Sequence, residues 1–180
     1  MAGSLIKIDE QIVTSAVATV ELGGTNWDSS YDVYMVKMNN VQTDYTGGGY
    51  QFTYLRVLTG GVAQTDANYD FAYKALLAPI AFQNSSATNS TSFTINQSGM
   101  EGSTTGESLN GIMYLFNFNN ASEYSFGTLE NVFVTYAGTT MGNNGGFVKT
   151  TAEANNGIQI YYTSGFNIDS GTFTLYGLKK

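Results

Sequence analysis

The sequence predicts an all-β fold: a single domain over residues 1–180, built as an antiparallel, jelly-roll-like β-sandwich with at most one short helix. Three observations lead there. Apolar residues make up 42% of the chain and charged ones only 12%, too little Glu and Lys for a helical bundle but enough apolar surface for a core without disulfides or metal. Aromatic residues contribute 14%, nearly all Tyr and Phe, which favour pleated sheet. Alternating segments, about nine of them, recur between Gly- and Asn-rich breaks, the spacing of a sandwich rather than of βαβ units.

The first segment, "IVTSAVATVEL" from Ile12 to Leu22, reads as one strand with Ala16, Ala18, Val20 and Leu22 on one face, ended by "GGTNWDSS". In "YDVYMVKMNN" Val33 and Met35 alternate with Tyr34, Val36 and Met38, so both faces are apolar and the strand needs cover on both. Tyr50 to Thr59 lies between glycine turns and carries Arg56, the one arginine, expected to pass its aromatic neighbours and pair with a carboxylate. From Thr65 to Gln83 the period changes. Tyr69, Ala72, Tyr73, Leu76 and Leu77 recur at helical spacing, Asp66 is placed to cap and Pro79 to terminate, which favours a short helix or helical turn slightly over a strand, followed by a polar loop, "NSSATNSTS".

The second half is more regular. "LNGIMYLFNFNN" sets Ile112, Tyr114, Phe116 and Phe118 against Met113 and Leu115, and "ENVFVTYAG", "GGFVKTTAEA", "NGIQIYYTSG" and "GTFTLYGLK" follow as further strands. In the last, Phe173 and Leu175 point one way and Thr172, Thr174 and Tyr176 the other, with Gly177 allowing a bulge or a close approach.

Fourteen acids against seven bases give a net charge of −7, which leaves no cationic surface to neutralise phosphates, so no nucleic-acid partner is expected. No apolar run reaches the ~20 residues of a membrane span, and the start of the chain has neither export signal nor anchor. Four glycosylation sequons, at Asn84, Asn89, Asn96 and Asn120, are attributed to chance in a chain rich in Asn, Ser and Thr.

With no histidine and no cysteine, the usual general base, thiol nucleophiles and the common transition-metal ligand sets are absent. Two-carboxylate chemistry needs acids that face each other. Asp28 and Asp32 flank Trp27 and Tyr31 in "NWDSSYD", read here as a polar turn, and Asp66 and Asp70 as a cap and a solvated face. The expectation is therefore no enzyme, no catalytic residue, no metal and no cofactor. Aromatics carry what remains: Tyr34, Val36, Met38, Met113 and Leu115 on doubly apolar strands are candidates for a subunit interface, and Trp27, Tyr45 and Tyr50 for surface contacts.

"GESLNGIMYLFN" followed by "GGFVKTTAEANNGIQIYYTSGFNIDSGTFTLYGLKK" resembles the C-terminal half of small structural proteins of tailed phages of the marine and cyanobacterial type. The shared elements are a G-x-x-Y-L-x-N strand, "TTAEA" before an I-x-I strand, an SG-x-I-x-SG turn and a terminal LYG-x-K strand. "YDVYMV" is similar as well. The resemblance implies a virion component assembled in the bacterial cytoplasm. With Met1 a few residues from the first strand and no shaft before it, a head decoration or cement protein is expected, bound to the major capsid protein as a homo-oligomer, by analogy a trimer. A receptor- or carbohydrate-binding module using Trp27 and loop tyrosines is the alternative.

Overall fold

The computed structural model describes residues 4–46, 51–78, 81–96, 106–135, 137–162 and 165–179. Among these, thirteen strands form two sheets, with one 3-10 turn at Gly24–Asn26. The strands are β1 (Ser4–Val13), β2 (Thr19–Gly23), β3 (Val33–Thr43), β4 (Thr53–Thr59), β5 (Val62–Ala63), β6 (Tyr69–Leu77), β7 (Ala81–Ser90), β8 (Phe93–Thr94), β9 (Leu109–Phe116), β10 (Ser125–Val134), β11 (Thr140–Lys149), β12 (Gly157–Tyr162) and β13 (Ile168–Lys179).

The larger sheet runs β1-β13-β3-β9-β10-β11-β6-β7; the smaller runs β2-β12-β4-β5, with β8 also on β4. Taking β1-β13-β3-β9 against β2-β12-β4-β8 gives two four-stranded sheets in jelly-roll order. Two excursions enlarge this frame. The chain between β4 and β8 supplies β6 and β7, the chain between β9 and β12 supplies β10 and β11, and together they extend the larger sheet beyond β9.

The expected helix over 65–83 is absent. Tyr69, Tyr73 and Leu77 are four apart, a spacing that fits strand alternation as well as a helical face, and in β6 they share the inner face with Phe71 and Ala75. Pairing with β11 on one side and β7 on the other makes the strand. Pro79 lies outside the described residues, and Asp66 caps no helix: its backbone carbonyl accepts from Asn68 N at 2.9 Å. "NSSATNSTS" is likewise largely strand rather than loop, since its residues to Ser90 belong to β7, a solvated edge held through its backbone to β6. The single strand expected from Ile12 to Leu22 is two, because the chain crosses between sheets at Thr14–Ala18, where Val17 alone bridges to Ile168.

The core lies between the sheets. Val20, Leu22, Leu55, Val57, Ile158 and Ile160 of the smaller sheet face Tyr34, Val36, Met38, Met113, Leu115, Phe173 and Leu175 of the larger, all buried. Over the extension, the cover comes from Phe93 of β8, which pairs with β4 in the smaller sheet. Its ring stacks on Phe147 at 4.7 Å and meets Phe71 edge-on at 5.5 Å. The adjoining carbonyl of Ile95 accepts from two buried amides, Asn131 Nδ2 at 2.8 Å and Asn143 Nδ2 at 3.4 Å, while Asn131 Oδ1 accepts from Asn143 N at 3.1 Å and Asn143 Oδ1 is buried without a hydrogen bond. Asn96 is wholly buried with Nδ2 on the Gln51 carbonyl, which bars a glycan there. One cation is inside too: Lys149, at the end of β11, is ion-paired to Glu153.

Candidate functional site

Strand alternation fixes which side chains leave the sandwich. On the smaller sheet the outward row is polar, with Glu21, Gln159 and Arg56 in register across β2, β12 and β4, and Gln159 Nε2 donating to Glu21 at 2.8 Å. Among the described residues Arg56 meets no carboxylate. Its guanidinium lies 4.5 Å over the Tyr161 ring, and Nε donates to the Thr91 carbonyl at 3.2 Å.

The larger sheet has a different outer face. One cross-strand row reads Val33, Phe116, Phe126, Val148, and another Val132, Gly142, Leu76, Phe82. Phe126, Val132, Leu76 and Phe82 are 42%, 49%, 49% and 65% exposed, far more than core residues of this size allow. Between these rows run Met35, Tyr114, Thr128, Gly146, Ala72 and then Lys37, Ile112, Glu130, Asn144, Lys74. Apolar rows thus alternate with a charged one in which both signs occur. Gly146 sets a low lane between Phe126 and Ala72, opening an apolar groove of about 560 Å³.

The named rows cross six strands about 4.8 Å apart and are themselves about 7 Å apart, so they cover roughly 500 Å², somewhat below the ~800 Å² each partner contributes to a standard interface.

The two edges of this sheet differ as well. β1 carries Lys7, Asp9 and Glu10, a Lys7–Glu10 ion pair at 3.0 Å and a bulge between Lys7 and Asp9, all of which discourage pairing with another strand. β7 has no charged residue from Ala81 to Ser90. Its guard is a bulge opposite Tyr69–Phe71, where Asn89 N donates to Asp70 at 2.8 Å.

The residues expected at a subunit interface are elsewhere. Tyr34, Val36, Met113 and Leu115 are 0% exposed and Met38 is 1% exposed, all inside the chain's own core. The strands are doubly apolar, as expected, but the smaller sheet covers that side, so the residues on the opposite side are Met35 on β3, itself buried at 8% exposure, and the partly buried Ile112, Tyr114 and Phe116 on β9. Phe118 is not among them: positive φ at Asn117 turns the chain, and Phe118 is buried. Trp27 is no open platform, since its ring sits 3.9 Å from Tyr34 and 5.7 Å from Phe118 and Nε1 donates to Asn119 Oδ1 at 2.8 Å. Tyr45 is half-buried, edge-on to Phe166 at 4.6 Å. Tyr50 lies outside the described residues.

The turn around Asp28 is polar in the way its sequence suggests. Hydrogen bonds from Ser30 hold the Asp28 carboxyl below its usual range, the opposite of what a general acid needs. Among the described residues no three acidic side chains are grouped to hold a metal ion, and no helix is long and apolar enough to cross a membrane. No family, curated protein or solved structure matches the chain.

Sequence reading missed Phe126, Val132, Leu76 and Phe82. A signal existed in "SFGTLENVFV", where Phe126 and Val132 sit on the parity opposite Leu129 and Phe133.

Proposed function

We propose that this chain is a structural protein of a tailed-phage virion, a head decoration protein rather than an enzyme, lying on the major capsid protein lattice as a homo-oligomer, with a trimer as the proposed assembly. The observation that carries the reading is the outer face of the eight-stranded sheet: a broad, gently grooved surface with exposed Phe126, Val132, Leu76 and Phe82 beside a row of mixed charge. Exposed apolar rows on either side of a row of mixed charge suit burial against another protein. The resemblance of the C-terminal motifs to phage structural proteins supplies the kind of partner. Repeated over a lattice, one such contact per copy stabilises a pressurised shell by mass action without any single contact being strong.

Cryo-electron microscopy of virions carrying the protein tests this directly. Density on the outside of the capsid lattice, with the eight-stranded sheet against it, is the expected result; density confined to the tail tip would instead favour the receptor-binding alternative. Particles lacking the protein are expected to lose their DNA at lower temperature while adsorbing normally.

A further inference from the structure

Lys149 is set among groups that a buried ion pair does not need. Its side chain is 1% exposed and paired with Glu153. Its register partner across the β11–β6 pair is Tyr69, whose ring lies 5.9 Å from Nζ, and the residue before Tyr69 is Asn68. With the Asn68 amide turned so that each of its atoms meets a complementary group, Oδ1 accepts from Lys149 Nζ at 3.2 Å and from Thr151 Oγ1 at 2.7 Å, and Nδ2 donates to the Asp66 carbonyl at 3.2 Å. The backbone of Asn68 is pinned as well: its carbonyl accepts from Thr150 N at 2.8 Å and Thr150 Oγ1 at 3.0 Å.

An amine, a carboxamide and a carboxylate are therefore held together by two adjacent strands, with a hydroxyl on the amide oxygen. We propose that Lys149 and Asn68 join in an intramolecular isopeptide bond, with Glu153 carrying the protons. The Glu153 carboxylate takes a proton from the Lys149 ammonium, freeing the nitrogen lone pair. That pair attacks Asn68 Cγ, a new C–N bond forms, and the carbonyl π electrons move to Oδ1, where the Thr151 hydroxyl stabilises the negative charge. Glu153 delivers its proton to Nδ2. The oxyanion then collapses, the Cγ–Nδ2 bond breaks, ammonia departs and Glu153 removes the surplus proton from Nζ. Glu153 then gives that proton to the departing ammonia, so one ammonium and one carboxamide become one secondary amide and one ammonium ion. No oxidant or reductant is involved.

The arrangement suits the step. Lys149 Nζ already lies 3.2 Å from the Asn68 amide oxygen, so most of the entropy of bringing amine and amide together is lost on folding and not at reaction. Glu153 keeps 25% exposure for its side chain, and Asn68 and Thr151 are likewise only partly buried, which gives the departing ammonia a way out. The product would clip the end of β11 to the start of β6, fastening the extension that carries the outer face. The inference stands on this cluster alone and is independent of the virion reading.

Intact-mass spectrometry of the purified full chain tests it. The expected mass is lower than the sequence mass by one ammonia, and proteolysis is expected to release a branched peptide joining Asn68 to Lys149, with no tryptic cleavage after Lys149. Lys149→Arg and Glu153→Gln are expected to return to their full sequence masses. A wild-type chain at full sequence mass overturns the proposal, whatever the variants do. So does an ammonia loss that survives in Lys149→Arg or maps to a linear peptide, because that is cyclisation of an asparagine onto its own backbone.

Discussion

Asn119 organises the turn that precedes β3 with a single amide. Its Oδ1 accepts from Trp27 Nε1, while Nδ2 donates to the Tyr31 carbonyl at 2.7 Å and to the Tyr34 hydroxyl at 2.8 Å. The Tyr34 hydroxyl in turn donates to the Asp28 carbonyl at 2.7 Å, so a buried phenol is fully partnered as a neutral group. Burial pushes the Tyr34 phenol up to about 12, and it raises Tyr69, Tyr73 and Tyr162 as well. In the unfolded chain a tyrosine titrates near 10. Because the folded values are the higher ones, the stability these groups contribute is complete below about pH 10 and is lost as pH rises through about 12 and beyond. An alkaline titration followed by tyrosinate absorbance and circular dichroism together is expected to show two classes of tyrosine. Exposed ones ionise first with the fold intact, and buried ones ionise in one step with unfolding. A single smooth titration near pH 10 with the spectrum unchanged would show these phenols to be accessible.

Strand β13 carries more than its place at the end of the chain suggests. It pairs with β1 along one side and β3 along the other, and it buries Phe173 and Leu175 completely. Gly177 supplies the close approach that its position suggested: the Tyr31 ring covers it so tightly that a Cβ there would lie 2.4 Å from the ring. Burial of the two apolar side chains alone is worth roughly 3–6 kcal/mol, a large part of the 5–15 kcal/mol that holds a domain of this kind together, and two ladders of backbone hydrogen bonds go with it. A chain ending at Asp169 is therefore expected not to fold, read as loss of the cooperative denaturant transition. A soluble, cooperative product would mean that β1 and β3 close the sheet without β13.

At the scale of the molecule the two sheets divide the labour. The smaller one closes the core and shows water a polar row, whereas the larger extends past the jelly-roll frame and shows water an apolar one. Phe126→Asp and Val132→Asp place carboxylates in the middle of that surface without touching the core, and each is expected to change unfolding free energy by no more than about 1 kcal/mol. Under the proposed function they abolish binding to decoration-free capsids, measured by co-sedimentation, because an unpaired carboxylate would have to be buried at the contact. Retained binding by both variants would move the contact to another face.

Composition and alternation in the sequence determined the all-β class, the sandwich, and which residues of each strand share a side. Tyr34, Val36 and Met38 against Met35, or Met113 and Leu115 against Ile112 and Tyr114, follow from period two alone. What alternation cannot supply is which side is inside when both are apolar. That was decided by the smaller sheet, which covers Tyr34 and Met113 and leaves Met35 and Tyr114 on the opposite side. Tertiary pairing likewise made strands of β6, whose spacing fits a helix equally well, and of β7, whose polar residues carry no periodic signal. It also brought Asn68 to Lys149, because only the register between β6 and β11 places residues so far apart in sequence within reach of one another.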